Sequence, residues 1–495
     1  MNDTDVNNKY DRQVRLWNVS GQRRLVDSRV CFVGASPVAC ETAKNLVLPG
    51  VGKLVFVDDL AVDSSDLAAN FFLQESDLHK DRARCVSDRL GELNADSSLE
   101  HVNTPWDQLI QDKGFWKQFD CVVNARLDPD TDLIDVLWQL GVPLVHIHAT
   151  GVYSLVRVYS LERTIVETHA TRADDFRLDA AWPELQTYVD SIDSHAAAEV
   201  PYSVLLIKTF QELEKKLGRR PTTRETRERL RELGDDDNVL EAVKKAALVG
   251  KESHTLDDRT RQLLAQKPSL ATATMFWVLV EALDRFYQKH RLLPLNGSLP
   301  DMTSNTDRYL ELQDIYRAKH DADKTELRGL ATQVLAEHDR ANETVTDAEM
   351  DLFVKNCNVL EVQRGSKNVW DPKTLEDENS PVLQNINIYF GFLALNAFHK
   401  QHGRYPTPAD QAEVRSWSIS ELCRHRTVKS FPDGLEHVLD ELLRAKGEVL
   451  HNVCALTGGI AAQEIIKVLT NQYVPLNNTL TFDGIRGQTG TWKID

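Results

Sequence analysis

The first 165 residues alternate short apolar runs with stretches of helical spacing. Apolar runs that predict buried strands fall at 29–34, 53–57, 120–124 and 144–148. Between the first two runs, residues 37–48 have the spacing of an amphipathic helix, which stops at Pro49-Gly50. Strands interleaved with helices are typical of a parallel sheet covered by helices on both faces, so the sequence predicts an α/β fold here.

A long middle region has a different pattern, because charged helical segments dominate it and apolar runs of strand length are scarce. Thr222 and Glu225 have the spacing of a helix capping box. Residues 272–286 place apolar side chains at helical intervals. The middle region is therefore predicted to be mainly helical.

The α/β pattern returns near the end of the chain. Residues 453–470 predict a helix rich in small residues, and 479–482 predict a strand. The simplest organisation is one α/β domain made of residues 1–165 and 445–495, interrupted by a helical insertion at 166–444.

Composition excludes several classes of function. A net charge of −17 argues against nucleic acid as a main partner, since phosphate binding needs a basic face. The polar N-terminus lacks a signal-peptide pattern, and we expect no apolar run of the ~18 residues that a membrane span needs. Seven scattered cysteines without a CxxC pair predict reduced thiols, so we expect a cytoplasmic and nuclear protein.

The turn after the first strand is the candidate nucleotide site. A strand that ends in Gly34 and precedes a helix is where a nucleotide phosphate usually binds. A working G-x-G-x-x-G turn needs glycine at positions 36 and 39, where this chain has Ser36 and Ala39. Pro37 also removes a backbone donor from the turn. The sequence therefore predicts a doubly wound sheet whose nucleotide site is degenerate.

Several segments resemble the adenylation domains of ubiquitin-like-modifier activating enzymes. They are residues 9–17, 44–52 and 457–467, and residues 70–74 and 299–313 are further similar to regulatory subunits of neddylation activating enzymes. The resemblance runs from residue 9 to residue 490. It implies a Rossmann-like adenylation domain of the ThiF/MoeB type, interrupted by a large helical insertion, in the non-catalytic chain of a heterodimer.

The departures from active members of this family are as informative as the matches. Asp58 matches the first of two aspartates that follow the second strand, but Leu60 replaces the second. Ala69 stands where active members have an arginine for the ATP phosphates, and Leu127 where they have a metal-binding aspartate. The residues left at the degenerate site are Gly34, Ser36, Ala39, Asp58 and Lys80, with Arg82 nearby. The resemblance implies that this chain binds no cofactor or metal and that ATP and magnesium bind to the partner subunit.

The resemblance also assigns contacts with that partner. It implies that Arg12 reaches ATP held by the partner, with Arg15, one helical turn on, as the alternative donor. A partner interface is expected at Pro300, Asp301, Met302, Tyr309 and Gln313. The implied partners are a catalytic subunit, in a one-to-one heterodimer, and a ubiquitin-like modifier.

Two cysteines and two histidines are the remaining candidates for chemistry. In this family the modifier passes to a cysteine that lies beside a threonine in the inserted domain. Cys357 and Cys423 lack that neighbour, so we expect neither to carry the modifier. His146 and His148 share one face of a strand but have no third ligand, and no metal site is predicted.

Three other functions agree less well with this sequence. A self-sufficient ATP-dependent adenylating enzyme needs the glycines and the metal aspartate that are missing here. A nicotinamide-dependent oxidoreductase, which the fold alone suggests, needs the same phosphate turn. Among regulatory chains, the small subunit of the SUMO-activating enzyme shares the opening motif but is shorter, and the long insertion argues against it.

Overall fold

A computed structural model describes residues 9–170, 175–192, 199–367, 385–425 and 433–494, without the side chains of 107, 421–425 and 433. The chain forms two compact units, residues 1–165 with 362–495, and residues 166–361. The strands are β1 (Arg29–Val33), β2 (Lys53–Val57), β3 (Ser98–Val102), β4 (Cys121–Asn124), β5 (Leu144–Thr150), β6 (Tyr153–Tyr159), β7 (Arg163–Ile165), β8 (Glu361–Gln363), β9 (Thr479–Asp483) and β10 (Gln488–Trp492). The helices are α1 (Asp11–Asp27), α2 (Pro37–Val47), α3 (Ser64–Ala69), α4 (Arg82–Gly91), α5 (Trp106–Leu109), α6 (Lys113–Trp116), α7 (Thr131–Leu140), α8 (Pro183–Ser191), α9 (Tyr202–Leu217), α10 (Thr223–Arg231), α11 (Asp237–Lys245), α12 (Asp258–Leu264), α13 (Met275–His290), α14 (Thr306–Glu337), α15 (Asp347–Asn356), α16 (Ile386–His402), α17 (Gln411–His425), α18 (Asp433–Ala445) and α19 (His451–Thr470).

The first unit is built on an eight-stranded sheet in the order β10-β9-β6-β5-β4-β1-β2-β3. Strands β1 to β5 are parallel, and β6, β9 and β10 extend the sheet by antiparallel pairing. Phe32 of β1 lies opposite Phe56 of β2, and their rings stack with centroids 4.9 Å apart. The predicted α/β fold with a doubly wound parallel sheet is confirmed.

Alternate residues of the central strand face two different apolar layers. Val30 and Phe32 pack in one cluster with α2, α4 and α19, whereas Cys31 and Val33 pack in another with α6 and α7. Because side chains alternate along a strand, these clusters lie on opposite faces of the sheet. Burial on both faces explains why the strand reads as a continuous apolar run.

Helix α19 packs directly on α2. An added Cβ at Gly458 would lie 2.8 Å from backbone atoms of Glu41 and Thr42, so the glycine permits contact between the two backbones. Within the described residues, α19 is the one helix long and apolar enough for a membrane span, and 61% of that stretch is buried in the structure. This corrects the expectation that no segment would qualify, since a buried helix is apolar on most sides.

The units divide the chain differently from the predicted domains, because the first unit includes residues 362–444. Leu395 of α16 and Leu442 of α18 are fully buried in one cluster with Leu155 of β6 and Trp492 of β10. These helices thus pack on the antiparallel part of the sheet. Their helical pattern alone does not reveal which unit they join.

The helical unit, residues 166–361, has its own core. Leu230 of α10, Val239 of α11 and Tyr316 of α14 are buried together, and the Tyr316 hydroxyl donates to the carbonyl of Phe176 over 2.6 Å. The predicted capping box is confirmed, since Glu225 accepts from the Thr222 amide at 2.8 Å.

The α2–α19 contact yields a stability prediction. Gly458→Ala should lower the free energy of unfolding by about 1–3 kcal/mol, because its methyl group overlaps the backbone of α2. Gly459→Ala is the matched control, because nothing lies within 4 Å of an added Cβ there. That variant should be neutral or more stable by up to ~1 kcal/mol. Urea unfolding measures both, and equal stabilities would contradict the close contact.

Candidate functional site

The candidate site lies where the order of the parallel strands reverses, between β1 and β4. Ligands of doubly wound sheets bind beyond the carboxyl ends of the strands at this point. Gly34 follows β1 with a φ of +88°, a conformation that favours glycine. The Ser36 hydroxyl lies 3.4 Å from the carbonyl of Ala125, which follows β4, so both strand ends meet here.

The turn after β1 bonds to the chain itself. The Gly34 amide donates to the carbonyl of Val57 over 2.9 Å, and the Ala35 amide donates to Oδ2 of Asp58 over 2.7 Å. Pro37 begins α2 and offers no amide. The backbone donors that would cradle a phosphate at this turn are thus reduced, and one of them already binds a carboxylate.

Arg82 bridges two buried carboxylates beside this turn. Its Nε and Nη2 donate to Oδ2 of Asp58 over 2.9 and 2.7 Å, and its Nη1 donates to Oδ1 of Asp66 over 2.9 Å. The side chains of Arg82, Asp58 and Asp66 are 15%, 2% and 8% exposed. The bridge therefore satisfies all three charges away from water.

The surroundings reinforce this bridge. Burial by itself lowers the pKa of Arg82, but Asp58 and Asp66 raise it on balance, so the guanidinium stays charged. Asp66 also accepts from the Asp63 amide over 3.1 Å, in a capping box that begins α3. The carboxylate is thereby held in place by the helix as well as by Arg82.

The remaining cavity at this site has a volume of about 90 Å³. Ligand pockets typically have volumes of about 300–1,000 Å³, so a nucleotide does not fit without movement of these side chains. The cavity is lined by Gly34, Val57, Asp58, Asp59, Leu60, Arg82, Thr104, Trp106 and Arg126. With these side chains as they stand, the cavity is too small for ATP and a metal ion.

The structure brings together only part of the predicted degenerate site. Gly34, Ser36 and Asp58 meet at the turn, whereas Ala39 is buried in the packing of α2. Lys80 does not line the cavity, and its Nζ lies 3.6 Å from Oδ1 of Asp77. Leu127 is buried in a separate apolar cluster.

Three residues at this site were not predicted from the sequence. Asp66 belongs to the segment that replaces the family's arginine-bearing run, and its spacing from Asp63 is the signal of a capping box. Arg126 and Trp106 stack, with the guanidinium 5.4 Å from the ring centroid. No sequence spacing links that pair, because they follow different strands.

The N-terminal arm, residues 9–18, carries Arg12 and Arg15 on α1. Both side chains are exposed, and Arg15 pairs with Asp11 at 3.0 Å. Arg12 makes no hydrogen bond or ion pair with any residue that the structure describes. Leu16, on the same face, is 54% exposed. Neither arginine lines the cavity.

The predicted interface segment belongs to the helical unit and is held there by its own contacts. The Tyr309 hydroxyl donates to the carbonyl of Pro300 over 3.2 Å, and Met302 packs on the core of the unit. Gln313 accepts from Arg317 at 3.4 Å, while the side chain of Asp301 is exposed. These contacts order the segment, and its role as an interface stays a prediction.

Cys357 and the paired histidines have environments that suppress reactivity. Burial raises the pKa of the Cys357 thiol to about 12, and Cys357 lies at a 520 Å³ cavity of the helical unit. The side chain of Cys423 lies outside the described residues. Burial lowers the pKa of His146 to about 4 and that of His148 to about 3, so both are neutral. The described residues contain no cluster of three or more metal-binding side chains.

Known proteins match the whole chain. The ThiF family model matches residues 10–495. The Nedd8-activating enzyme E1 regulatory subunit of Drosophila melanogaster is 31% identical, covering 99% of this chain and 98% of that protein. The corresponding subunit of Gallus gallus is 30% identical, covering 98% of each chain. The regulatory subunit AXL of Arabidopsis thaliana is 31% identical, covering 96% of this chain and 97% of that protein.

The Arg82 bridge yields a second stability prediction. Arg82→Leu should lower the free energy of unfolding by about 3 kcal/mol, because two buried carboxylates lose their counter-charge. Arg84→Leu on the same helix is the control. Its side chain is 68% exposed and lies 3.8 Å from Asp88, so the change should stay within ~0.5 kcal/mol. Denaturant unfolding measures the free energy of unfolding of both variants. Equal losses in the two variants would show that the bridge adds no stability.

Proposed function

The chain belongs to the ThiF family, among the regulatory subunits of NEDD8-activating enzymes, and on that premise we propose how it works. It forms a one-to-one heterodimer with a catalytic subunit, which binds ATP and magnesium, adenylates the ubiquitin-like modifier and carries the modifier on its own cysteine. This chain provides the scaffold and lends Arg12 to the partner's ATP site.

The self-satisfied nucleotide site is the observation that carries this proposal. Asp58 accepts from the Ala35 amide and from Arg82, so the groups that would meet a nucleotide are bonded to one another. A chain that adenylates by itself would have to break these bonds to bind ATP. These bonds favour a chain whose partner binds the nucleotide over a chain that adenylates by itself.

Exposed apolar side chains of the sheet unit support a protein partner. Phe71 is 72% exposed and packs against His451 with the rings tilted and their centroids 3.7 Å apart, and Leu450, next to His451 in the chain, is 45% exposed. Further exposed apolar side chains of the same unit are Leu16, Leu48, Leu60, Leu456 and Ile485. Single exposed apolar residues are common, so it is the large exposed ring of Phe71 beside His451 that favours an interface.

Arg12 suits the chemistry of adenylation in the partner's site. The modifier's terminal carboxylate attacks the α-phosphorus of ATP, the bond to the bridging oxygen breaks, and pyrophosphate leaves with the negative charge. A guanidinium is permanently charged and offers a planar fork of donors to phosphate oxygens. Supplied from this chain, it makes catalysis depend on assembly of the heterodimer.

The second step, transfer to a cysteine, falls to the partner. A thiolate must attack the acyl adenylate and displace AMP, and only a deprotonated thiol does so. Cys357 is 3% exposed with a pKa raised to about 12, so almost none of it is ionised near neutral pH. Because Cys357 is a poor nucleophile, we expect the acceptor cysteine to lie on the other subunit.

A reconstitution experiment tests the proposal. The purified chain alone should show no modifier-dependent exchange between ATP and pyrophosphate, and adding the catalytic subunit should give both exchange and a one-to-one complex. Exchange is followed with labelled pyrophosphate and the complex by light scattering. Exchange by the isolated chain would sink the proposal, as would a catalytic subunit whose rate is unaffected by this chain.

Arg12→Ala in the intact heterodimer should slow adenylation about 10²-fold, because one preorganised contact to developing negative charge is lost. Arg12→Lys should recover only part of that rate, since an ammonium cannot bind phosphate oxygens as a planar fork. The measurement is initial exchange rate at subsaturating ATP.

Arg15→Ala is the matched control, since Arg15 is exposed on the same arm but paired with Asp11. It should exchange at the wild-type rate. A normal rate for Arg12→Ala together with a slow Arg15→Ala would transfer the role to Arg15, and normal rates for both would remove the arm from the chemistry.

A further inference from the structure

The arm that carries Arg12 begins in a socket built around Tyr10. The ring of Tyr10 is buried, and its hydroxyl donates to Oδ2 of Asp96 over 2.9 Å and accepts from Nδ2 of Asn94 over 3.1 Å. Lys9 donates to Oδ1 of Asn94 over 2.7 Å and pairs with Asp96. Two consecutive residues of the arm are thus tied to the loop before β3.

Gly50 forms the wall of this socket. It has a φ of +84°, and an added Cβ would lie 2.6 Å from the Tyr10 hydroxyl oxygen, so only glycine leaves room for the ring. Asn94 also donates to the carbonyl of Val47 over 2.8 Å. The socket is therefore built on the end of α2, inside the packed sheet unit, and is a rigid base for the arm.

A second anchor holds the other end of the arm. The backbone departs from helix at Trp17 and Asn18. There the Trp17 indole donates to Oε1 of Gln22 over 3.0 Å, and Gln472 donates to the Trp17 carbonyl over 2.9 Å. The single helical stretch between the two anchors presents Arg12 to solvent.

We infer that Tyr10 is a positioning residue, which holds the arm so that Arg12 is presented in one geometry to the partner's ATP; this rests on the proposed function. The physical reason is the cost of ordering. A free arm would lose backbone and side-chain freedom each time Arg12 met the phosphates, whereas an anchored arm has lost most of it on folding. The hydrogen bond from Lys9 lowers the pKa of Asp96, which keeps that carboxylate ionised as the acceptor for Tyr10.

The test is a double-mutant cycle in the intact heterodimer. Tyr10→Phe keeps the ring but deletes both hydroxyl hydrogen bonds, and should slow adenylation about tenfold through misplacement of Arg12. In an Arg12→Ala background the same change should have no further effect, because a residue that acts only through Arg12 has nothing left to position. Rates at subsaturating ATP and heterodimer assembly are measured for all four proteins.

A matched control separates positioning from loss of stability. Ser87→Ala also removes a buried hydroxyl of the same unit, one that donates to the Glu100 carbonyl over 3.2 Å, and should leave adenylation at the wild-type rate. If Tyr10→Phe does not fold, Asp96→Asn replaces it, since that change weakens the same socket from its exposed side.

Each outcome of the cycle supports or overturns the inference. Slowing by Tyr10→Phe only when Arg12 is present supports it. A wild-type adenylation rate for Tyr10→Phe overturns the inference, and so does equal slowing by Tyr10→Phe with and without Arg12. If Arg12→Ala is slow in either case, the proposed function still stands. A wild-type rate for Arg12→Ala alone overturns the proposed role of the arm and the inference with it.

Discussion

The backbone contact between α2 and α19 is the constraint on which the sheet unit depends, because it joins segments more than four hundred residues apart in the chain. Helix α19 covers an apolar face that includes Phe32, Phe56 and Ile147, and a helix kept farther away would leave that face open to water. The contact requires a residue without a side chain at position 458. Helix α2 begins at the degenerate nucleotide turn and ends at the Tyr10 socket, so the two features lie at opposite ends of the helix that α19 packs on.

The unit keeps the architecture of a nucleotide-binding fold, but the polar groups at its turn are bonded to one another. The strand ends, the switch point and the glycine after β1 remain, since the sheet needs them for packing. What has changed are the groups that would face the ligand. Asp58 now binds Ala35 and Arg82, so a polar site has become part of the folded core.

The sequence predicted the strands that read as continuous apolar runs, together with β9, and missed β3 and β6, which lack such a run. Strands β1, β2, β4 and β5 are buried along nearly all of their length, and their apolar runs show it. Strand β3 is an edge strand whose Ser98, Glu100 and His101 are exposed, and it has no such run. Strand β6 is entirely buried but contains Arg157, whose guanidinium donates to the Tyr389 hydroxyl over 2.5 Å. That partner is 232 residues away, and no local pattern announces it.

The sequence showed which nucleotide-binding residues the candidate site lacks. It did not show which contacts the remaining residues make with one another. Missing glycines and a proline at 37 are visible in the sequence, but the bridge of Asp58, Asp66 and Arg82 exists only once three separate elements meet. This bridge also limits what a single substitution at the turn can change. A glycine placed at position 36 leaves Asp58 on the Ala35 amide, and a change at Arg82 leaves two buried carboxylates without their counter-charge. A single substitution there either keeps the contact between Asp58 and Ala35 or removes the counter-charge of two buried carboxylates, so rebuilding the turn requires several coordinated changes.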